Sequence, residues 1–200
     1  MPILKKPTIT IFCGSKSGKR SIYRSKSKEI AKILSKNSYP IIYGGGKTGL
    51  MGSLSKAIKN EKGYITGVIP NFLNIPKLAQ IELSKLYNVK NLSDRKKLMI
   101  RKSDVFIILP GGYGTLDELF EVLTIKQLGL SNKPIIIYNI QGFWEPLKKL
   151  FLFLKEEGFI DNKDLKEFVW ADNIDEILKF LKKIFLFFFG YSNTIIFHKK

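Results

Sequence analysis

Apolar positions along the chain fall into two alternating textures. Short runs rich in β-branched and aromatic residues, at 8–12, 40–43, 64–69, 105–109 and 133–138, read as strands. Between them, stretches around 23–37, 50–58, 94–102, 116–128 and 144–157 carry the helical period. Strands that are apolar on both faces and alternate with helices predict a doubly wound α/β domain, a parallel sheet with helices on both faces. Pro70 is expected to stop the third strand, and 71–87 mixes loop and helix character. The domain is expected to cover 1–183, with an apolar tail over 184–200.

That tail begins Ile184-Phe185-Leu186-Phe187-Phe188-Phe189, preceded by Lys182 and Lys183 and broken by Gly190. Even extended to Phe197 it is shorter than the ~20 residues that span a bilayer, so no integral membrane association is expected. It reads as a final helix packed on the core, with a peripheral membrane contact as the alternative. The segment Met1 to Lys6 is too short to make a signal peptide with the apolar run after it.

Composition narrows the chemistry. The 200 residues are 44% hydrophobic, enough for one folded α/β domain. The single cysteine, Cys13, cannot form an internal disulfide and lies in an apolar run, so a packing role in a reducing, cytoplasmic setting is expected. The one histidine, His198, is the third residue from the end, which disfavours a histidine metal cluster or a Ser-His-Asp triad. A net charge of +17 raises nucleic-acid binding. However, residues 1–60 hold 13 basic and one acidic residue while 121–200 hold 12 and 10, and only four of the 34 basic residues are arginine. Arginine is the residue suited to bidentate readout, so no specific nucleic-acid partner is expected.

Ligands of parallel sheets bind beyond the strands' C-terminal ends. Three strands end there in glycine turns, at Gly14, at Gly44-Gly45-Gly46 and at Gly111-Gly112-Tyr113-Gly114, which predicts one shared crevice. The last turn, Pro110 to Glu118, joins a strand to a helix, an arrangement whose backbone N–H groups can converge on a phosphate. Asp117 and Glu118 are expected in the first helical turn. Glu118 has two readings: the partner of Thr115 in a capping box, or a carboxylate placed for chemistry beside the anion. Neither common nucleotide fingerprint fits. Gly112-Tyr113-Gly114 lacks the third glycine of G-x-G-x-x-G, and Gly46-Lys47-Thr48 has Ile41 where a Walker A loop needs glycine.

Cys13-Gly14-Ser15, Tyr43-Gly44-Gly45-Gly46 with Gly49-Leu50-Met51-Gly52, Gly67-Val68-Ile69-Pro70, Arg95-Lys96 and Pro110-Gly111-Gly112-Tyr113-Gly114-Thr115-x-x-Glu118 follow one another in this order. Together they resemble the LOG (LONELY GUY) family, once labelled lysine decarboxylase-like, over roughly residues 8 to 175. The resemblance implies a Rossmann-like fold and a homodimer. It also implies hydrolysis of the N-glycosidic bond of cytokinin riboside 5′-monophosphates or AMP to free base and ribose 5-phosphate. Arg95 and Glu118 take the catalytic positions. Lys96, Gly111, Gly112, Tyr113, Gly114, Thr115, Asp117, Glu121, Gly14, Ser15, Gly45, Gly46 and Met51 are the expected substrate contacts. Gly111, Gly112, Gly114 and Thr115 would hold the phosphate, with Glu121 supporting Glu118 from one helical turn away. No metal or organic cofactor is implied, and no lysine has the context of a pyridoxal-bearing residue. Leu92 and Ser93 depart from the family pattern, and Lys77 stands where the family has a substrate-contacting glutamate, with Glu82 the nearest carboxylate. These departures favour the rival reading, a nucleotide-binding sensor or carrier with the same cradle and no turnover.

Overall fold

The computed structural model describes residues 6–80 and 82–186. Its strands are β1 (Ile9–Phe12), β2 (Ile41–Tyr43), β3 (Ile65–Pro70), β4 (Lys85–Val89), β5 (Val105–Ile108), β6 (Ile135–Tyr138) and β7 (Val169–Ala171). All pair in parallel, in the order β4-β3-β2-β1-β5-β6-β7. The helices are α1 (Ser21–Lys36), α2 (Gly49–Asn60), α3 (Leu92–Lys102), α4 (Tyr113–Gln127), α5 (Glu145–Glu156) and α6 (Ile174–Phe185).

Alternation along each strand builds two cores. Ile9, Ile11, Ile41, Tyr43, Val105 and Ile107 face the layer in which α1, α2 and α6 bury Leu34, Leu54 and Leu181. Phe12, Ile42, Phe106, Ile108, Ile135 and Ile137 face the opposite layer, with Met99 of α3, Leu119 of α4 and Phe151 of α5. The sheet is therefore buried on both faces, and its order reverses between β1 and β5. In open parallel sheets such a reversal is where ligands bind, beyond the strands' C-terminal ends.

The expected doubly wound α/β fold is what forms, with two strands more than the pattern predicts. β4 arises inside the segment of mixed character. As an edge strand it is exposed or half-buried along its length, so it lacks a continuous apolar run. β7 has only three residues. Pro70 closes β3 as its last residue instead of stopping it beforehand, since a proline at a strand's end forfeits little of the ladder. α6 continues through Ile184, which is buried, to Phe185. Residues 187–200 of the expected tail lie outside the described residues. Among the described residues no helix is long and apolar enough to cross a membrane.

Candidate active site

The three glycine turns meet, and Gly14 is where they join. Its N–H donates to the Pro110 carbonyl at 3.0 Å, while its own carbonyl accepts from Leu50 at 3.1 Å and Met51 at 3.3 Å. A Cβ at Gly14 would come within 3.3 Å of the Gly111 Cα. Ser15 is exposed on the rim, and its carbonyl accepts from the Thr48 hydroxyl at 3.0 Å. Gly49 fits between these loops only because it lacks a side chain. Its φ is +59°, and a Cβ there would lie 2.3 Å from the Ser15 carbonyl.

The loop after β5 enters α4 differently from the capping-box reading. The helix begins at Tyr113 with Gly112 as its N-cap, so Thr115 is already inside the helix and buried. Asp117 and Glu118 accordingly sit in the second turn, beyond reach of the N-terminal N–H groups, and there is no acidic residue in the first. Glu118 is therefore not a cap. A Cβ at Gly111 would overlap Thr115, 2.0 Å from its hydroxyl oxygen, so packing alone requires glycine there. Gly112 and Gly114 have nothing within 4 Å of where a Cβ would stand. Both face open space at a helix start whose first N–H groups have no intrahelical partners. Tyr113, between them, is 94% exposed.

Glu118 instead turns inward to α3. That helix is started by Asn91, whose side chain accepts from the Asp94 N–H at 2.8 Å. It carries Arg95 over the Gly44-Gly45-Gly46 turn, and a Cβ on Gly44 would fall 1.8 Å from the guanidinium. Arg95 Nη2 lies 3.1 Å from Glu118 Oε1, with the two side chains 13% and 6% exposed. Arg95 Nε is buried without a hydrogen-bond partner, and Glu118 Oε1 is buried with the Arg95 ion pair as its contact, outside hydrogen-bond geometry. Such atoms are costly to leave unmatched in a core. Burial pushes the Glu118 carboxyl up to about 7, against the opposing pull of Arg95 and with a further upward push from Asp117. Cys13, buried at the end of β1, is pushed up by its burial and by the Glu118 charge, so its thiol stays protonated.

Around this pair, Lys96 binds Asp117 at 2.7 Å and Glu121 at 2.6 Å. Met51 lies against Gly44 and Gly46, its sulfur 3.1 Å from where either Cβ would be. Gly45 is buried, and its carbonyl accepts from Gln80 at 2.9 Å. The segment after β3 thus folds against the second glycine turn. Of the departures noted in the sequence, Lys77 is exposed on that segment, Leu92 and Ser93 form the first turn of α3, and Glu82 pairs with Lys59. Apart from Met51, in the first turn of α2, every expected site residue thus belongs to one of the three turns or to the α3–α4 seam beside them. Gly44 was not singled out among the expected contacts. The signal for it is that it is the first glycine after β2, where the backbone must leave room for a guanidinium.

Residues 51–181 match the profile of a family described as “Possible lysine decarboxylase”. The “Probable cytokinin riboside 5'-monophosphate phosphoribohydrolase LOG4” of Oryza sativa subsp. japonica is 39% identical over 171 residues, covering 86% of this chain and 74% of that protein. The cytokinin riboside 5'-monophosphate phosphoribohydrolase LOG4 of Arabidopsis thaliana is 37% identical over 175 residues, covering 88% and 81%. Among solved structures, the molybdenum cofactor binding protein of Rippkaea orientalis superposes with a TM-score of 0.69 at 19% identity, over 90% of this chain and 98% of that one. That likeness is one of fold.

Proposed function

This chain belongs to the LOG family of phosphoribohydrolases, and from that membership we propose that its crevice hydrolyses the N-glycosidic bond of nucleoside 5′-monophosphates. The substrate class is cytokinin riboside 5′-monophosphate or AMP, and the products are the free base and ribose 5-phosphate. The observation that carries the reading is the buried Glu118–Arg95 pair, with Arg95 Nε unmatched, beside an open glycine turn.

The substrate's phosphate lies over Gly112 and Gly114, against the first N–H groups of α4. Cleavage breaks the bond from C1′ to the base nitrogen, and the electron pair leaves with the base. The ribosyl cation that develops is stabilised by the Glu118 carboxylate. Water then adds its oxygen to C1′ and gives up a proton to Glu118, which can pass it to the departing base. A carboxyl that titrates near neutrality suits both transfers. Arg95 orients Glu118 and offers its unmatched Nε to the phosphate or the leaving base.

The protein acts as a homodimer in the cytoplasm. Phe120 of α4, with Leu128 and Leu130 just beyond it, presents exposed apolar side chains suited to a second copy. A lone buried cysteine suits a reducing compartment. Incubating the full chain with AMP and with N6-isopentenyl-AMP should release free base and ribose 5-phosphate in equal amounts, resolved by chromatography. Tight nucleotide binding with no base above background would instead establish a carrier or sensor.

A further inference from the structure

We propose that Lys96 is a positioning residue for this site, an internal counter-ion that offsets the charge of Asp117 and Glu121 so that the buried Glu118 can carry its working negative charge. The inference rests on the hydrolytic reading above and gives Lys96 a role other than substrate contact.

Asp117 and Glu121 are four residues apart on α4, a spacing at which like charges face and repel one another. Both nevertheless converge on one ammonium, at 2.7 and 2.6 Å, from a lysine whose side chain is 17% exposed. An ammonium has three donors and can serve both carboxylates at once. Burial works to lower the Lys96 pKa, but the hydrogen bonds to Asp117 and Glu121 prevail and raise it, so the cation is secure. Arg95 and Lys96 are consecutive on α3, and α4 answers with three carboxylates within five residues. The charged and titratable groups facing Glu118 are Arg95 and Lys96 from α3, Asp117 and Glu121 from α4, and the Cys13 thiol at the end of β1.

Two cations thus face three carboxylates: Arg95 pairs with the deepest, Glu118, while Asp117 and Glu121 share Lys96. Without Lys96 a single cation would face all three. Asp117 and Glu121 would then repel the Glu118 charge uncompensated, and Glu118 would hold its proton to higher pH. Protonated, it can neither stabilise a ribosyl cation nor accept a proton from water.

The test uses the full-length protein with AMP, following kcat against pH together with the titration of the Glu118 carboxyl by carbon NMR. In Lys96→Met the acid limb of kcat should move up by about one pH unit, and the Glu118 midpoint should move with it. Adding Asp117→Asn should bring both back at least halfway. If Lys96→Met does not fold, Asp117→Asn alone should lower the midpoint, and an unmoved or raised midpoint there overturns the proposal. A uniform fall in kcat with an unmoved limb would make Lys96 a mere brace. A raised KM with an unmoved limb would make it a phosphate ligand. Either result overturns the proposal. If the wild-type protein shows no turnover at all, the hydrolytic reading fails by itself. The NMR midpoint still decides whether Lys96 governs Glu118.

Discussion

Glu118 is held between opposing demands. Burial favours its neutral form, Arg95 favours its charged form, and the outcome is a carboxyl near 7 instead of near 4.5. A carboxyl raised in the folded state binds more protons there than in the unfolded chain between about 4.5 and 7, so its contribution to stability falls as pH rises through that window. At about 1.4 kcal/mol per pH unit, wild type should lose up to roughly 3 kcal/mol relative to Glu118→Gln between pH 4.5 and 8, measured by denaturant unfolding of both proteins. The same substitution should lower turnover about 10²–10³-fold, the scale of one lost electrostatic contribution, with AMP affinity retained by calorimetry. A fully active Glu118→Gln protein would exclude the catalytic role. At Gly112 a Cβ meets no protein atom and φ is −108°, so Gly112→Ala should fold normally. Loss of affinity for both AMP and ribose 5-phosphate would then report a clash with the phosphate itself. Unchanged ribose 5-phosphate affinity would leave this loop an ordinary turn. The sequence motif around Pro110 pointed to these residues, but the Thr115-x-x-Glu118 spacing suited a cap equally well. Only the start of α4 at Tyr113 separates the two readings, and that depends on where the glycine turn ends, which residue spacing does not encode.

At the scale of elements, strands buried on both faces were legible because their apolar runs are nearly unbroken, as at Val105–Ile108 and Ile135–Tyr138. β4 and β7 were not. One is a half-exposed edge and the other has three residues, and their existence depends on the neighbours β3 and β6 more than on their own pattern. Convergence of the glycine turns could be anticipated from topology, whereas their interlocking could not. Gly49 shows the difference, since its left-handed backbone and its 2.3 Å approach to Ser15 arise from a loop 34 positions earlier in the chain. Gly49→Ala should therefore cost roughly 2–4 kcal/mol in chemical denaturation. A loss under about 0.5 kcal/mol, the scale of an ordinary surface substitution, would mean that the two loops are not locked together.

For the molecule as a whole, charge and apolar surface are segregated. The basic excess lies in the first 60 residues, which supply α1 and α2, while the opposite layer exposes Phe120, Leu128 and Leu130 around the end of α4. Replacing Leu128 and Leu130 together by Asp should turn a dimer into a monomer in sedimentation equilibrium while leaving the circular dichroism of the helices unchanged. A dimer that survives both changes would move the interface elsewhere. The joining of three turns at Gly14 has a further consequence, for how such a protein can diversify. A loop grafted from a relative after β1 must also suit Gly49 and Pro110, because its backbone bonds to or abuts both. The three turns are thus expected to be exchanged between homologues only as a set, whereas the segment after β3, which among its described residues bonds to the second of these turns through Lys47 and Gln80, can vary more freely. Substrate preference in such a lineage can then drift through that segment while the anion cradle stays fixed.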